Sequence, residues 1–387
     1  MKKVLLRAPL LTSSGYGVHS RQIFECLYAV KDIDLTVECL NWGQTPWLLR
    51  GDMESGLIGK IMSCSKKVEP PYDLSFQVQL PDEWDTSLAK YNIGISAVVE
   101  TDRCNPTWVN CCNNMDHIIV PSKFTKSVLK NSGLISKPVD VIHEYFNDEI
   151  LNSPKDTHDI KFKTNFNFLI VGQLNAASAD ADRKNIFNTI DCIVSTFNGN
   201  LDVGIVIKTN MGKGTTIDRK ICLNIFNQMK NAIKAKYKNK IYLLHGNMTK
   251  KEISSLYTHP QIKCLVSATR GEGFGLPLIE AAASGLPIVA TNWSGHLDFL
   301  SNKFVKVNYN LIDIPEARID NRIFFKGHKW ANPDLSDMSK KLRGVFSNVE
   351  NYQKQALELK KEVVINFSKE KSHSIYRNIL KNYLSLE

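Results

Sequence analysis

No stretch of this chain approaches the ~18 consecutive apolar residues of a membrane-spanning helix. Among nine cysteines there is no Cys-x-x-Cys pair and no Cys/His spacing suited to zinc. An odd count without a framework points to reduced thiols and a cytoplasmic setting. Internal repeats and low-complexity tracts are missing too. Arg7 and Pro9 interrupt the apolar opening Met1–Leu11, so it reads as a first buried strand, not a secretory leader. The basic run Lys230–Lys240 lacks the series of aromatics that a base-stacking surface needs, which leaves a solvated helix face.

What is present fits a globular protein. A length of 387 residues, with 43% hydrophobic and 23% charged residues, suits two domains better than one. Residues 1–150 hold 15 Lys and Arg against 18 Asp and Glu, whereas residues 151–387 hold 34 against 21. The net charge of +10 therefore resides in the second part, where it can attract an anionic ligand.

Hydrophobic runs alternate with amphipathic ones. Val4–Ala8, Leu35–Leu40, Leu74–Val78, Tyr91–Val99 and Ile118–Pro121 read as strands, with helices over Val18–Val30 and Lys123–Ser132. The polar segment Asn147–Phe162, with Pro154, reads as a linker. A second alternation follows: strands at Phe166–Gly172, Gly204–Lys208, Ile241–Leu244 and Cys264–Val266, with helices at Asn185–Phe197, Ile217–Tyr237 and Lys250–His259. The end, Tyr352–Leu386, reads as helical. Alternation of this kind predicts an α/β fold with parallel sheets and ligands at the C-terminal strand ends. Gly15-Tyr16-Gly17 opens the first helix but is not the dinucleotide fingerprint, since a third glycine is lacking.

The densest signal is Arg270-Gly-Glu-Gly-Phe-Gly-Leu-Pro-Leu-Ile-Glu280, between a strand and a helix. Gly273, Phe274, Gly275 and Leu276 form a turn whose backbone N–H groups face a helix N-terminus, a favourable place for phosphate. Glu272 in the loop and Glu280 two turns into the helix can accept hydrogen bonds from hydroxyls at the two ends of an extended ligand. A nucleotide-sugar has that layout. Arg183 and Lys184 precede another helix, where cations oppose the helix dipole unless an anion binds. Glu100 ends an apolar strand, as a cleft-facing carboxylate or a strand-end cap. Lys208 and His296 lie near the same kind of edge, and His143-Glu144 leads into the linker as a structural or hinge element.

The segment EGFGLPLIEAAASGLPIVATNWSGHLDFL resembles the nucleotide-binding motif of family 4 retaining glycosyltransferases, which have the GT-B fold of two Rossmann-like domains. NFLIVGQL with DRKN, VPSKFTKSVLKNSGL and IGISAVVETDRCNPTWV resemble further elements of that family. The resemblance implies residues 1–150 as an N-terminal acceptor-side domain and 151–367 as a nucleotide-sugar-binding domain, facing a central cleft. The last helix, about 368–387, would pack back on the first domain. It implies a metal-independent transferase moving a sugar from a nucleoside diphosphate sugar, the donor substrate, to an acceptor hydroxyl, with no bound cofactor. Lys184 matches the family's diphosphate lysine, Glu272 would hold sugar hydroxyls and Glu280 the ribose. Gly15 and Gly17 would approach the donor, and Glu100 would act on acceptor or sugar. Gln173 stands where a second cation is usual, and a long loop, Asn175–Asp182, follows; Arg183 is the candidate substitute. A nucleotide-sugar-binding protein without transfer and an epimerase on the same fold are the alternative functions. Donor base, sugar, acceptor and oligomeric state are not legible.

Overall fold

Strands buried on both faces read as continuous apolar runs rather than alternations. Val4, Leu5 and Leu6 are all fully enclosed, as are Ile205, Val206 and Ile207. Such strands need helices on both sides of a parallel sheet. The computed structural model describes residues 1–152, 160–174, 179–232 and 239–385 and contains two such sheets. The first comprises β1 (Lys2–Ala8), β2 (Ile33–Cys39), β3 (Tyr72–Val78), β4 (Ala89–Ile95), β5 (His117–Val120) and β6 (Val139–Val141), in the order β2-β1-β3-β4-β5-β6. The second comprises β7 (Phe166–Val171), β8 (Val203–Thr209), β9 (Lys240–His245), β10 (Ile262–Ser267), β11 (Ile288–Thr291) and β12 (Val305–Val307), in the order β12-β11-β10-β7-β8-β9. Every pairing within them is parallel. The direction of winding reverses between β1 and β3 and between β7 and β10. Those switch points are where doubly wound sheets hold ligands. An antiparallel hairpin of β13 (Tyr309–Asp313) and β14 (Lys329–Pro333) completes the strands.

The chain divides into two units. One holds Met1–Tyr145, Asp320–His328 and Phe367–Glu387, and the other Phe146–Ile319 and Lys329–Asn366. Helix Lys369–Leu384 places Tyr376, Ile379, Leu380 and Leu384 in the first unit's core beside Ile23, Phe24 and Phe76. Asp320–His328 belongs to the same unit, with Phe324 buried and Arg322 in charge pairs. Arg322 pairs with Asp82 at 2.8 Å and Glu83 at 2.7 Å, and its carbonyl accepts from Asn105 Nδ2 at 3.2 Å. Nothing in the hydrophobic pattern announces that segment. In the second unit, Phe168, Ile170, Ile190, Ile193, Val266 and Leu342 form the core. No helix among the described residues is long and apolar enough to cross a membrane.

Three elements differ from the sequence reading. The first helix starts at Gly15 rather than Val18, because Ser14 Oγ accepts the Gly17 N–H at 2.9 Å and caps it. The apolar run Tyr91–Val99 is a strand only to Ile95; Val98 turns the chain at φ +55°, yet Val98 and Val99 remain buried. The C-terminal stretch is two helices, Val349–Asn366 and Lys369–Leu384, with Ser368 capping the second. The middle of the linker, part of the loop 175–182 and the end of the helix at 217–237 lie outside the described residues.

Glu144 is 7% exposed and its Oε2 has no hydrogen-bond partner among the described residues. Burial pushes its carboxyl up to about 8 from 4.5. The folded chain therefore holds a proton there that the unfolded chain releases, and stability from this group falls as pH rises from about 4.5 through 8. Glu144→Gln is expected to stabilise the chain at pH 8 by on the order of 4 kcal/mol relative to its effect at pH 5. Urea unfolding of both proteins at the two pH values measures this. Parallel pH profiles would show Glu144 to be ionised in the fold.

Candidate active site

At the second unit's switch point the exits of β7 and β10 converge. After β10 the chain forms Ala268–Gly275, then helix Leu276–Ser284 with Pro277 in its first turn. Gly275 sits at φ +108°, a conformation glycine tolerates and other residues do not. Phe274 anchors the turn; it is 3% exposed, with its ring centroid 5.1 Å from that of Phe299. The loop after β11 presses against it closely, so that a Cβ on Gly295 would lie 2.2 Å from the Gly273 carbonyl. Glu272 donates its N–H to Ser294 Oγ at 2.9 Å, and its carbonyl accepts the Gly295 N–H at 2.9 Å.

The basic loop after β7 is organised by all four residues of Asp182-Arg-Lys-Asn185. Asp182 accepts the N–H groups of Lys184 at 3.0 Å and Ile186 at 2.7 Å, the latter the first N–H of helix Ile186–Thr196. Asn185, at φ +54°, donates to the Ala268 carbonyl at 3.0 Å. Arg183 Nη1 donates to the Gly271 carbonyl at 2.6 Å. Lys184 Nζ donates to both oxygens of Glu272, at 2.6 and 2.8 Å. Arg183 Nη1 stands 3.8 Å from the same carboxylate. Burial alone would raise the Glu272 carboxyl, but the charges of Lys184 and Arg183 outweigh it and hold the group below the ordinary glutamate value.

Arg183, Lys184, Glu272 and the Gly273–Leu276 turn are thus brought together. Glu280 lies further along the helix, half-buried. Burial lifts its carboxyl to about 7, against the Tyr257 hydroxyl and the Lys250 charge, which both favour ionisation. Gly15, Gly17 and Glu100 belong to the first unit. Glu100 is half-buried beyond β4. A Cβ on Gly15 meets nothing within 4 Å, whereas one on Gly17 would lie 2.1 Å from the Thr12 carbonyl. Gly17 is therefore fixed by packing, and Gly17→Ala is expected to cost roughly 1–3 kcal/mol of stability through overpacking. Unchanged urea stability would remove that explanation.

Other sequence candidates take structural roles. His296 is fully buried; Nε2 donates to the Thr291 carbonyl at 2.7 Å, leaving Nδ1 to accept from Ser294 Oγ at 3.4 Å. It braces the serine that receives the Glu272 N–H. Lys208 donates to the Gly246 carbonyl at 2.6 Å and Asn210 Oδ1 at 2.9 Å, tying the β8 and β9 exits, and burial lowers its ammonium to about 8. His19, one turn into the first helix, is also buried, at 5% exposed, and burial lowers it to about 4. Sequence reasoning missed Asp182 and Ser294. The signal for Asp182 was its place ahead of a helix; Ser294 sends none, since its role depends on a contact 22 residues away.

Two Rossmann-like units, each built on a parallel sheet, with a basic loop and a buried glutamate at the switch point of the second, give the fold of the GT-B class. Residues 225–330, which include the glycine turn, match the family model for glycosyl transferases group 1. That match covers about a quarter of the chain and marks a glycosyl transferases group 1 segment around the glycine turn. Similar solved structures include sucrose-phosphate synthase (tll1590) from Thermosynechococcus elongatus, with TM-score 0.63, 14% identity and 100% of each chain covered. Anabaena Alr3699/HepE in complex with UDP and glucose gives TM-score 0.65 and 12% identity over 99% of this chain and 100% of that one. A glycosyltransferase from Rickettsia africae ESF-5 gives 0.64 and 16% over 100% and 99%. No curated protein matches the chain.

Proposed function

We propose that this chain is a retaining, metal-independent glycosyltransferase using a nucleoside diphosphate sugar, with a UDP-sugar as the first donor to test. The observation that carries the reading is the part-buried contact of Lys184 with Glu272 beside a glycine turn at a helix N-terminus. The UDP and glucose held by the Anabaena protein motivate the choice of donor.

The residues divide the work by charge. Lys184 and Arg183, with the N–H groups of residues 273–276, take the charge that develops on the leaving diphosphate. Glu272 receives sugar hydroxyls and Glu280 the ribose diol. To do so, Lys184 exchanges the Glu272 carboxylate for a phosphate oxygen, which frees Glu272 for the sugar. Gly15 leaves open space at its helix start for an approaching ligand, and Glu100 orients the acceptor hydroxyl. The acceptor attacks the face from which the diphosphate leaves, and a phosphate oxygen takes its proton. No protein nucleophile is required.

A thermal-shift panel of nucleoside diphosphate sugars tests the reading. A donor at 100 times its Kd is expected to stabilise the chain by about 2.7 kcal/mol, without added metal and with EDTA present. No shift with any member of the panel refutes it. Within the same reading Gln173→Arg is neutral or mildly activating, since it restores a cation at the β7 exit. A strong gain of turnover in that variant would show that Arg183 does not stand in for the cation usual at position 173.

A further inference from the structure

Trp42 is a half-buried indole just beyond β2 that does not join the first unit's core. Its ring stacks on Tyr16, centroid to centroid at 4.0 Å and 25° between planes. Beneath it Tyr16 is tied down. Its hydroxyl lies 3.0 Å from Ser96 Oγ and accepts the Ala97 N–H at 2.9 Å. Ser96 Oγ in turn accepts the Val98 N–H at 3.1 Å. These bonds hold Val98 at φ +55°, a true outlier for a β-branched residue. Strain of this kind persists only where its surroundings enforce it, and it clusters at functional sites. Two residues on is Glu100, whose charge adds to burial, the main cause, in raising the Tyr16 phenol. Asn41, Gly43 and Gln44 beside the indole are exposed, and a Cβ on Gly43 would meet nothing within 4 Å.

We propose that Trp42, stacked on Tyr16 above the strained exit of β4, is the platform of a saccharide-binding subsite, and that the acceptor is a carbohydrate. An indole face with one side backed by a second ring leaves the other for the apolar C–H face of a sugar ring. The exposed amides of Asn41 and Gln44 beside it suit the ring's hydroxyls. A lipid or peptide acceptor would call for an apolar groove, whereas the loop around Trp42 is polar and open. Tyr16 is a positioning residue, because its hydroxyl shapes the turn that presents Glu100. The inference rests on the transferase reading for its choice of acceptor, but not for its test.

The test is saturation-transfer NMR with methyl α-glucoside and maltose as probes, on the wild type, Trp42→Ala, Trp42→Phe and Tyr16→Phe, with UDP-glucose affinity followed in parallel. The wild type is expected to bind at least one probe through its ring C–H protons. Trp42→Ala is expected to weaken that binding at least tenfold and Trp42→Phe, which keeps a ring, by less than threefold. Tyr16→Phe keeps the stack but loses the hydroxyl, so it is expected to reduce contact at the sugar's hydroxyl-bearing side while leaving the stacked face. UDP-glucose affinity should change less than twofold in Trp42→Ala. No probe binding in the wild type, or equal binding in Trp42→Ala with its fold intact by circular dichroism, overturns the platform. If probes bind as expected and no nucleoside diphosphate sugar does, the platform stands and the donor reading fails.

Discussion

Lys184→Ala is expected to lower turnover at saturating donor by roughly 10²–10³-fold, the usual loss when one preorganised donor to a developing charge is removed. Lys184 makes the closest approach to the Glu272 carboxylate, at 2.6 Å, and Arg183 stands at 3.8 Å with one N–H already committed to the Gly271 carbonyl. Arg183 therefore cannot replace it. Part of any loss in Lys184→Ala would come from leaving Glu272 buried beside one distant cation. Glu272→Gln and the double variant separate the two effects. Residues in direct contact couple, so the double variant should lose less than the product of the single losses. Steady-state kinetics with circular dichroism as a fold control provides the measurement. Full turnover in a folded Lys184→Ala protein would remove the diphosphate role from this lysine.

The second large effect concerns Glu280. A carboxylate bonded to a ribose diol makes charge-assisted hydrogen bonds, each worth roughly 1.5–3 kcal/mol, so Glu280→Ala should weaken donor binding by about 10–100-fold. The same group predicts a pH dependence. Its carboxyl is lifted to about 7 in the free protein, and only the ionised form accepts both hydroxyl protons. Affinity for UDP-glucose should therefore rise about tenfold between pH 6 and pH 8 in the wild type and stay flat in Glu280→Ala. UDP-glucose suits this better than UDP, whose terminal phosphate titrates in the same range. Equal pH profiles in calorimetry would mean that Glu280 does not hold the ribose.

Local chemistry explains what could be read from the sequence. The glycine turn was legible because Gly275 needs a positive φ and Pro277 suits a first helical turn; both demands are met within a few residues. The order of strands and helices was legible because buried parallel strands leave long apolar runs. Lys184 and Glu272 were visible as separate candidates, yet their contact spans 88 residues and leaves no local trace. Ser294 supports that pair through a hydrogen bond across 22 residues that spacing does not encode, whereas Asp182 acts on N–H groups two and four residues ahead. The exit of β4 misled the reading for a different reason: Ser96–Val99 is as buried as a strand, but the Tyr16 hydroxyl, 81 residues from Ala97, turns it aside. The segment Asp320–His328 was silent because it carries the charge pairs of Arg322 and a single buried apolar ring, Phe324, rather than a periodic apolar face.

The central claim is sugar transfer with retention at the Lys184–Glu272 site, and the most direct measurement follows the anomer released from UDP-glucose. With water as the acceptor of last resort, proton NMR at early times resolves the new glucose before it mutarotates. The account predicts α-glucose first, the configuration of the donor, with release abolished in Lys184→Ala. β-Glucose appearing first would contradict retention, and wild-type protein that consumes no nucleoside diphosphate sugar would contradict the account as a whole.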